Sequence, residues 1–205
     1  MAKQSLVGVC KLCDVRKGKV AIATHLKTCL ASHANGLQTV PVVLLRVQSA
    51  DPHFWLHIAA GREAKLGQLD GLLRAVWLEC CGHLSEFYAG RHDEISMDAS
   101  VAQVVGSTGD WINYVYDFGS STELSVSFAG LAEGTSRKPI VVARNEAPVW
   151  PCEVCGAAAT TLCSEYEHSE DGFCCDKHAG DHECGEDMML PVVNSPRMGV
   201  CGYSG

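Results

Sequence analysis

Apolar positions along this chain change period several times, and the changes divide it into elements. Residues 42–47 (Val-Val-Leu-Leu-Arg-Val) form a β-branched apolar run of strand length, which predicts a buried strand. Residues 54–59 predict a second strand, joined to the first through Ser49-Ala50-Asp51-Pro52, good turn chemistry. The period then becomes three and four. Leu66, Leu69, Leu73, Val76 with Trp77, and Cys80 line one face of a helix that Gly82 stops. Residues 85–89 predict a short strand, and residues 112–117 and 123–129 two more around the turn 118–121. Residues 139–143 predict a further strand, and residues 190–193 an edge strand within an extended tail. The order strand, strand, helix, strand, hairpin predicts an α+β fold: a mostly antiparallel sheet with one main helix on a face, compatible with a β-grasp-like topology.

At both ends of the chain cysteine and histidine replace the apolar pattern. Cys10-Lys11-Leu12-Cys13 is followed after eleven residues by His25 and, three residues further, by Cys29. The tight C-x2-C turn brings two thiolates together. Residues 21–30 read as a helix with Ile22 and Leu26 on its inner side, and positions i and i+4 of a helix project from one face. Four such ligands are the plan of a tetrahedral structural zinc site, here a C2HC finger over residues 1–33. A unit with so few apolar residues is expected to lean on metal, which supplies about 10–16 kcal/mol of apparent folding free energy in comparable peptides.

The second concentration lies in residues 152–184, within a module spanning 150–187. Cys152 and Cys155 form one knuckle, and Cys175 and His178 a second pair, with Cys174 competing for the place of Cys175. Cys163, His168, His182 and Cys184 remain for another site. Interleaved pairs of this kind are similar in layout to cross-braced B-box-like and MYND-like modules. Tyr166 stands where that layout would put a ligand after Cys163, so His168 or Cys174 must stand in. Sets of four Cys and His leave no position for water, which makes them structural centres. Two to three zinc ions per chain are expected.

Composition and charge narrow the rest. With 205 residues and 47% hydrophobic content, the chain has room for one ordinary domain (40–144) between the small modules, followed by a tail (188–205). The longest apolar stretch, residues 40–47, contains Pro41 and Arg46 and falls far short of the ~20 residues that span a bilayer, so no membrane partner is expected. No secretory signal follows the first residues, which predicts a cytoplasmic protein with reduced thiols. The net charge of −8 is unevenly spread. Residues 1–33 carry Lys3, Lys11, Arg16, Lys17, Lys19 and Lys27 against Asp14, a balance of +5, whereas residues 146–187 carry eleven acids against Lys177, a balance of −10. The positive charge of the finger suits nucleic acid, but Ala21, Ala23 and Thr24 offer little with which to read bases, so a structural or protein-docking role ranks above nucleic-acid contact for it. The acidic module reads as a solvated surface that repels phosphates, and the partner expected of the whole chain is a protein, or a nucleic acid through the finger.

Three further features invite functional readings. Asp117-Phe118-Gly119 matches a kinase magnesium tripeptide, but a hairpin turn explains it, since no Gly-rich loop or catalytic loop accompanies it. Cys80-Cys81 would suit a ligand pair or a redox pair, but adjacent cysteines at a helix end read first as small buried residues, and Cys201 reads as a lone thiol. His83, Glu86 and Asp117, with His53 and His57 on neighbouring strands, would suit an acid–base or metal site of a hydrolase or nuclease if they converged.

The run Trp77-Leu-Glu-Cys-Cys-Gly-His-Leu-Ser-Glu-Phe87, the later Tyr116-Asp-Phe-Gly-Ser-Ser-Thr-Glu-Leu124 and the tail Leu190-Pro-Val-Val-Asn-Ser-Pro-Arg-Met-Gly-Val-Cys-Gly-Tyr203 resemble the plasmid pRiA open-reading-frame-three-like family, whose members also travel as passenger proteins of insertion elements. The set Cys10, Cys13, His25-Leu-Lys-Thr-Cys29 is similar to the finger preceding that domain in some members. The resemblance implies an α+β central domain with zinc appendages and no settled activity. The function expected from the whole chain is that of a zinc-binding, non-enzymatic binding or adaptor protein.

Overall fold

The computed structural model describes residues 6–91, 93–166 and 172–205. In chain order its elements are β1 (Val7–Cys10), β2 (Arg16–Gly18), α1 (Lys19–Ser32), β3 (Val40–Ser49), β4 (Trp55–Gly61) and α2 (Leu66–Leu73). The π-helical turn Arg74–Leu78 follows, then β5 (Ser85–Ala89), β6 (Asp93–Ile95), α3 (Val101–Val104), β7 (Trp111–Tyr116), β8 (Thr122–Gly134) and β9 (Ile140–Asn145). The C-terminal part contributes β10 (Thr161–Cys163), β11 (Phe173–Cys174) and β12 (Met189–Pro191). The fold is α+β.

Among the described residues nine strands pair in the order β2-β1-β9-β4-β3-β8-β7-β5-β6, every pairing antiparallel. That order stands where the element sequence had also allowed a β-grasp-like one. Strand alternation sends Val43, Leu45, Val47, Leu56 and Ile58 to one face, where they pack under Leu66, Leu69, Leu73 and Trp77 of the α2 segment. The opposite set, Val42, Leu44 and Ala59, packs with Ile22, Leu26 and Leu30 of α1. The sheet therefore carries helices on both faces. This explains why β3 and β4 read as unbroken apolar runs: each face is buried.

Residues 7–18 do not stand apart from the sheet. Strand β1 pairs with β9 (Val9 opposite Arg144, Cys10 opposite Ala143), and β2 hangs from its outer edge. Gly8 permits the close approach, because a Cβ there would lie 2.3 Å from Trp55 Cη2 and 2.4 Å from the Arg144 carbonyl oxygen. Helix α1 crosses β8 where the chain is bare of side chains; a Cβ on Gly130 would come within 2.6 Å of Lys27 Cε. The apolar residues of this helix bury against the sheet, so the finger draws on the central core as well as on any metal.

The α2 segment departs from the helix expected through Cys80. Regular α-helix ends at Leu73, and the Glu79 amide bonds five residues back to the Arg74 carbonyl at 2.9 Å. The widened turn buries Trp77 and Leu78 together and sends Cys80 and Cys81 into a bend. The last residues are also not simply extended. Beyond β12, Arg197 inserts into the body as a fully buried side chain. The small sheet β11-β10-β12 meets the main body through Trp150, whose ring stacks on Phe173 at 5.0 Å and takes His53 edge-on at 5.6 Å. No helix among the described residues is long and apolar enough to cross a membrane.

Candidate metal centres

All twelve cysteines are free thiols, and most of them gather with histidines. Strand β1 ends at Cys10, and the turn after it closes through Asp14 N–H to the Cys10 carbonyl (3.0 Å), with Asp14 at φ 56. That turn returns Cys13 beneath α1, where His25 and Cys29 sit one turn apart. The ligand atoms of Cys10, Cys13, His25 and Cys29 lie within 4.8 Å of one another. Individual separations are 3.8 Å for the Cys10 and Cys29 sulfurs, 3.6 Å for Cys29 and Cys13, and 3.3 Å from Cys13 Sγ to His25 Nε2. A tetrahedron with metal–sulfur bonds of about 2.3 Å has edges of about 3.8 Å, so these are coordination spacings.

Electrostatics point the same way. Burial, reinforced by the neighbouring sulfurs of Cys13 and Cys10, pushes the Cys29 thiol up to about 12. The Val15 backbone amide holds Cys13 below its ordinary value. Burial, then Lys17, lowers His25, leaving a neutral imidazole, the ligating form. Thiols held this close cannot all ionise without a cation among them. His33 also approaches Cys29 Sγ (3.4 Å), but its Nδ1 is engaged by the Cys29 carbonyl at 2.9 Å and it stays outside the set.

At the other end Cys152, Cys155, Cys175 and His178 form a second group of four. Cys155 and Cys175 sulfurs are 3.8 Å apart, and His178 Nδ1 is 3.5 Å from Cys152 Sγ and 3.4 Å from Cys175 Sγ. Each pair sits on a tight turn: Gly156 N–H bonds the Cys152 carbonyl (2.8 Å) and His178 N–H the Cys175 carbonyl (2.9 Å). Backbone amides, that of Cys175 foremost, pull the Cys152 thiol down to about 6. The strand position separates the two adjacent cysteines. Cys175 joins this set, whereas Cys174 on β11 faces Glu153 and His182.

Cys163, His182 and Cys184 form a third gathering, of three ligands. His168 lies outside the described residues. His182 is shared between this group and the one with Glu153 and Cys174, its Nε2 standing 3.9 Å from Glu153 Oε1. In chain order the two C-terminal groups interleave.

The acid–base constellation does not assemble as a whole. His83 Nε2 is 3.6 Å from Asp117 Oδ2. Glu86 sits on β5 opposite Val115, and among the described residues no hydrogen bond or ion pair joins it to His83 or Asp117. Asp117, at φ 66, closes its turn by accepting the Gly119 N–H (2.9 Å) and receives Arg197 Nη2 at 2.7 Å. Arg197, then the Gly119 amide, holds the Asp117 carboxyl below the usual range. His53 donates to Asp51 (2.7 Å) within the β3–β4 turn, and buried His57 donates from Nε2 to the Lys19 carbonyl (3.0 Å) under the start of α1. Neither Cys80 nor Cys81 is a buried core residue, because the π turn ends the helix before them; Cys80 is half-buried and Cys81 exposed. Nor is Cys201 alone: its sulfur is 3.9 Å from Cys81 Sγ and 3.4 Å from His83 Nε2. No signal in the local sequence could have paired residues so far apart.

No family profile and no curated protein matches the chain. A crystal structure of a protein of unknown function from Methanosarcina mazei Go1 is similar over 52% of this chain and 71% of that one, at 19% identity and a TM-score of 0.45. A likeness at that level carries nothing about activity.

Proposed function

We propose that the protein is a zinc-stabilised, non-enzymatic binding protein of the plasmid pRiA open-reading-frame-three-like kind. The observation carrying the reading is the pair of closed four-ligand groups, Cys10/Cys13/His25/Cys29 and Cys152/Cys155/Cys175/His178. Thiolate and imidazole donors in tetrahedral spacing select zinc over harder cations, and four protein ligands leave no open position for water. Such zinc shapes surfaces and does not activate substrates. Cys163, His182 and Cys184 add a further site whose completion falls to His168 or to Cys174 beside them.

The partner most consistent with the surface is a protein. Two basic side chains of the finger are already committed: Arg16 pairs with Glu146 at 2.6 Å and Lys19 bonds Gln48 at 2.7 Å. Helix α1 spends its apolar face on the sheet, leaving Lys27 and Thr28 exposed but no groove-reading row. Nucleic acid is the second reading, favoured by the local positive charge. The enzymatic alternative through His83, Glu86 and Asp117 is disfavoured by Arg197, which occupies the Asp117 carboxylate.

Metal analysis of protein purified in reductant without added zinc tests the reading, with two or more zinc ions per chain expected. Fewer than two would overturn it. Salt-sensitive retention on DNA or RNA, abolished by Lys17→Glu with Lys27→Glu, would favour the nucleic-acid form; salt-insensitive or absent retention would remove it.

A further inference from the structure

Four metal-ligating side chains outside the finger and the 150–187 module meet at the foot of the α2 segment. Cys80 and Cys81 come from the bend that ends the π turn, His83 from the residues following Gly82 (φ +74), and Cys201 from the C-terminal tail. Their ligand atoms all lie within 4.8 Å of one another. The Cys81–Cys201 sulfur distance, 3.9 Å, and the His83 Nε2–Cys201 Sγ distance, 3.4 Å, are edges of a tetrahedral Cys/His site.

We propose that Cys80, Cys81, His83 and Cys201 form an additional Cys3His zinc site that fastens the C-terminal tail to the α2 segment. Two independent features support it. The first is the backbone at Cys201. Tyr203 N–H bonds the Val200 carbonyl at 2.9 Å, and both central residues of that turn have positive φ, 53 at Cys201 and 69 at Gly202. Turns of this type favour Asn, Asp or Gly at the first central position. A cysteine held there bears strain and aims its sulfur at Cys81 and His83, as a ligand would.

The second feature is the support behind the ligands. Arg197 Nη2 donates to Cys80 Sγ at 3.6 Å while its other contacts, Asp117, the Ser120 carbonyl and Thr122 Oγ1, fix the guanidinium in a buried socket. A cation hydrogen-bonded to a sulfur favours the thiolate and shares the negative charge of a three-thiolate site. Asp117 Oδ2 also lies 3.6 Å from His83 Nε2, at the margin of the site. With Arg197 and the Gly119 amide on its oxygens, Asp117 is a neighbour of the site and not a ligand.

The site stands independently of the finger and the C-terminal module, and one experiment separates them. The full chain, kept in reductant, is compared with Cys81→Ser/Cys201→Ser, Cys13→Ser and Cys155→Ser variants by zinc content per chain. Cys81 and Cys201 are exposed, so their replacement leaves the core intact, which circular dichroism verifies. Loss of one zinc per chain in the double variant supports the proposal. Unchanged zinc there, with loss in the Cys13 or Cys155 variants, overturns it and leaves the other sites standing; no loss in any variant overturns both readings. Cobalt substitution of the wild type gives a check that needs no folded variant. Mapping of alkylated peptides must find Cys80, Cys81 and Cys201 protected until cobalt is removed. A Cys81–Cys201 disulfide in place of that protection also overturns the site.

Discussion

Replacing Gly8 by alanine tests whether the finger is built into the sheet. The added methyl would lie 2.3 Å from Trp55 Cη2, 2.7 Å from Trp55 Cζ2 and 2.4 Å from the Arg144 carbonyl oxygen. Neither neighbour can yield. Trp55 is fully buried, and Arg144 is held in register with Val9 on the strand next door. The chain must move β1 off β9 or displace a core indole. Overpacking of this kind costs about 1–3 kcal/mol, and with both contacts far inside van der Waals distance the upper end, about 3 kcal/mol, is expected. Urea unfolding followed by tryptophan fluorescence at saturating zinc measures it. Gly71→Ala supplies a control of opposite sign. Gly71 is exposed within α2, a Cβ there meets nothing within 4 Å, and the helix should gain about 0.5–1 kcal/mol. Because Cys10 ends the displaced strand, Gly8→Ala should also hand zinc to a chromogenic chelator faster than the wild type. A loss below about 0.5 kcal/mol for Gly8→Ala, with unchanged metal release, would refute the reasoning.

Burial lowers His57 from 6.5 to about 4, so the folded protein refuses a proton that the unfolded chain accepts. The stability this contributes is complete above pH 6.5 and is lost as the pH falls toward 4, amounting to about 3 kcal/mol; urea midpoints across that range should show the slope, and His57→Gln should flatten it. Chelation should loosen the C-terminal module first, since α1 retains Ile22, Leu26 and Leu30 against the sheet, while among the described residues the small sheet buries Leu162 and Phe173 with cysteines that include metal-ligand candidates. Limited proteolysis after metal removal should therefore cut within residues 152–184 before residues 7–145, and the reverse order would contradict the account. Arg197→Met strands the buried Asp117 carboxylate and should lower the urea midpoint and free the tail for proteolysis; adding Asp117→Leu should restore part of the loss, and strictly additive effects would show that the pair does not couple.

Much of this molecule was legible because its signals are local. Strand periods located β3, β4, β5, β7 and β9 to within two residues at each end and the start of β8, which runs five residues past its expected end, since burial of one or two faces imposes a pattern on neighbouring positions. The α2 helix read too long. The π turn keeps Trp77 and Leu78 both buried, and periodicity alone cannot distinguish a widened turn from another α-helical one. Three-residue β6 and four-residue α3 are too short to show a period. In the C-terminal module spacing alone could not choose between Cys174 and Cys175. The two differ only in which side of β11 and its following turn they occupy, and that is a property of strand pairing with β10.

The ligand pairs were set by the amino-acid sequence itself: a C-x2-C turn and an i, i+4 helical pair bring donors together by backbone geometry alone. How those pairs combine is a matter of topology. The sequence could not disclose that β1 joins β9, since an edge pairing between residues 8 and 145 depends on a missing side chain at Gly8 and the indole it makes room for. Nor could it bring Cys201 to Cys81 and His83. That meeting rests on the path of the tail, and the path rests on Arg197 finding Asp117, Thr122 and Cys80 in a socket assembled from the α2 bend and the β7–β8 turn. Spacing governs what a few residues of backbone can span; contacts across more than a hundred residues are decided only when the core has closed.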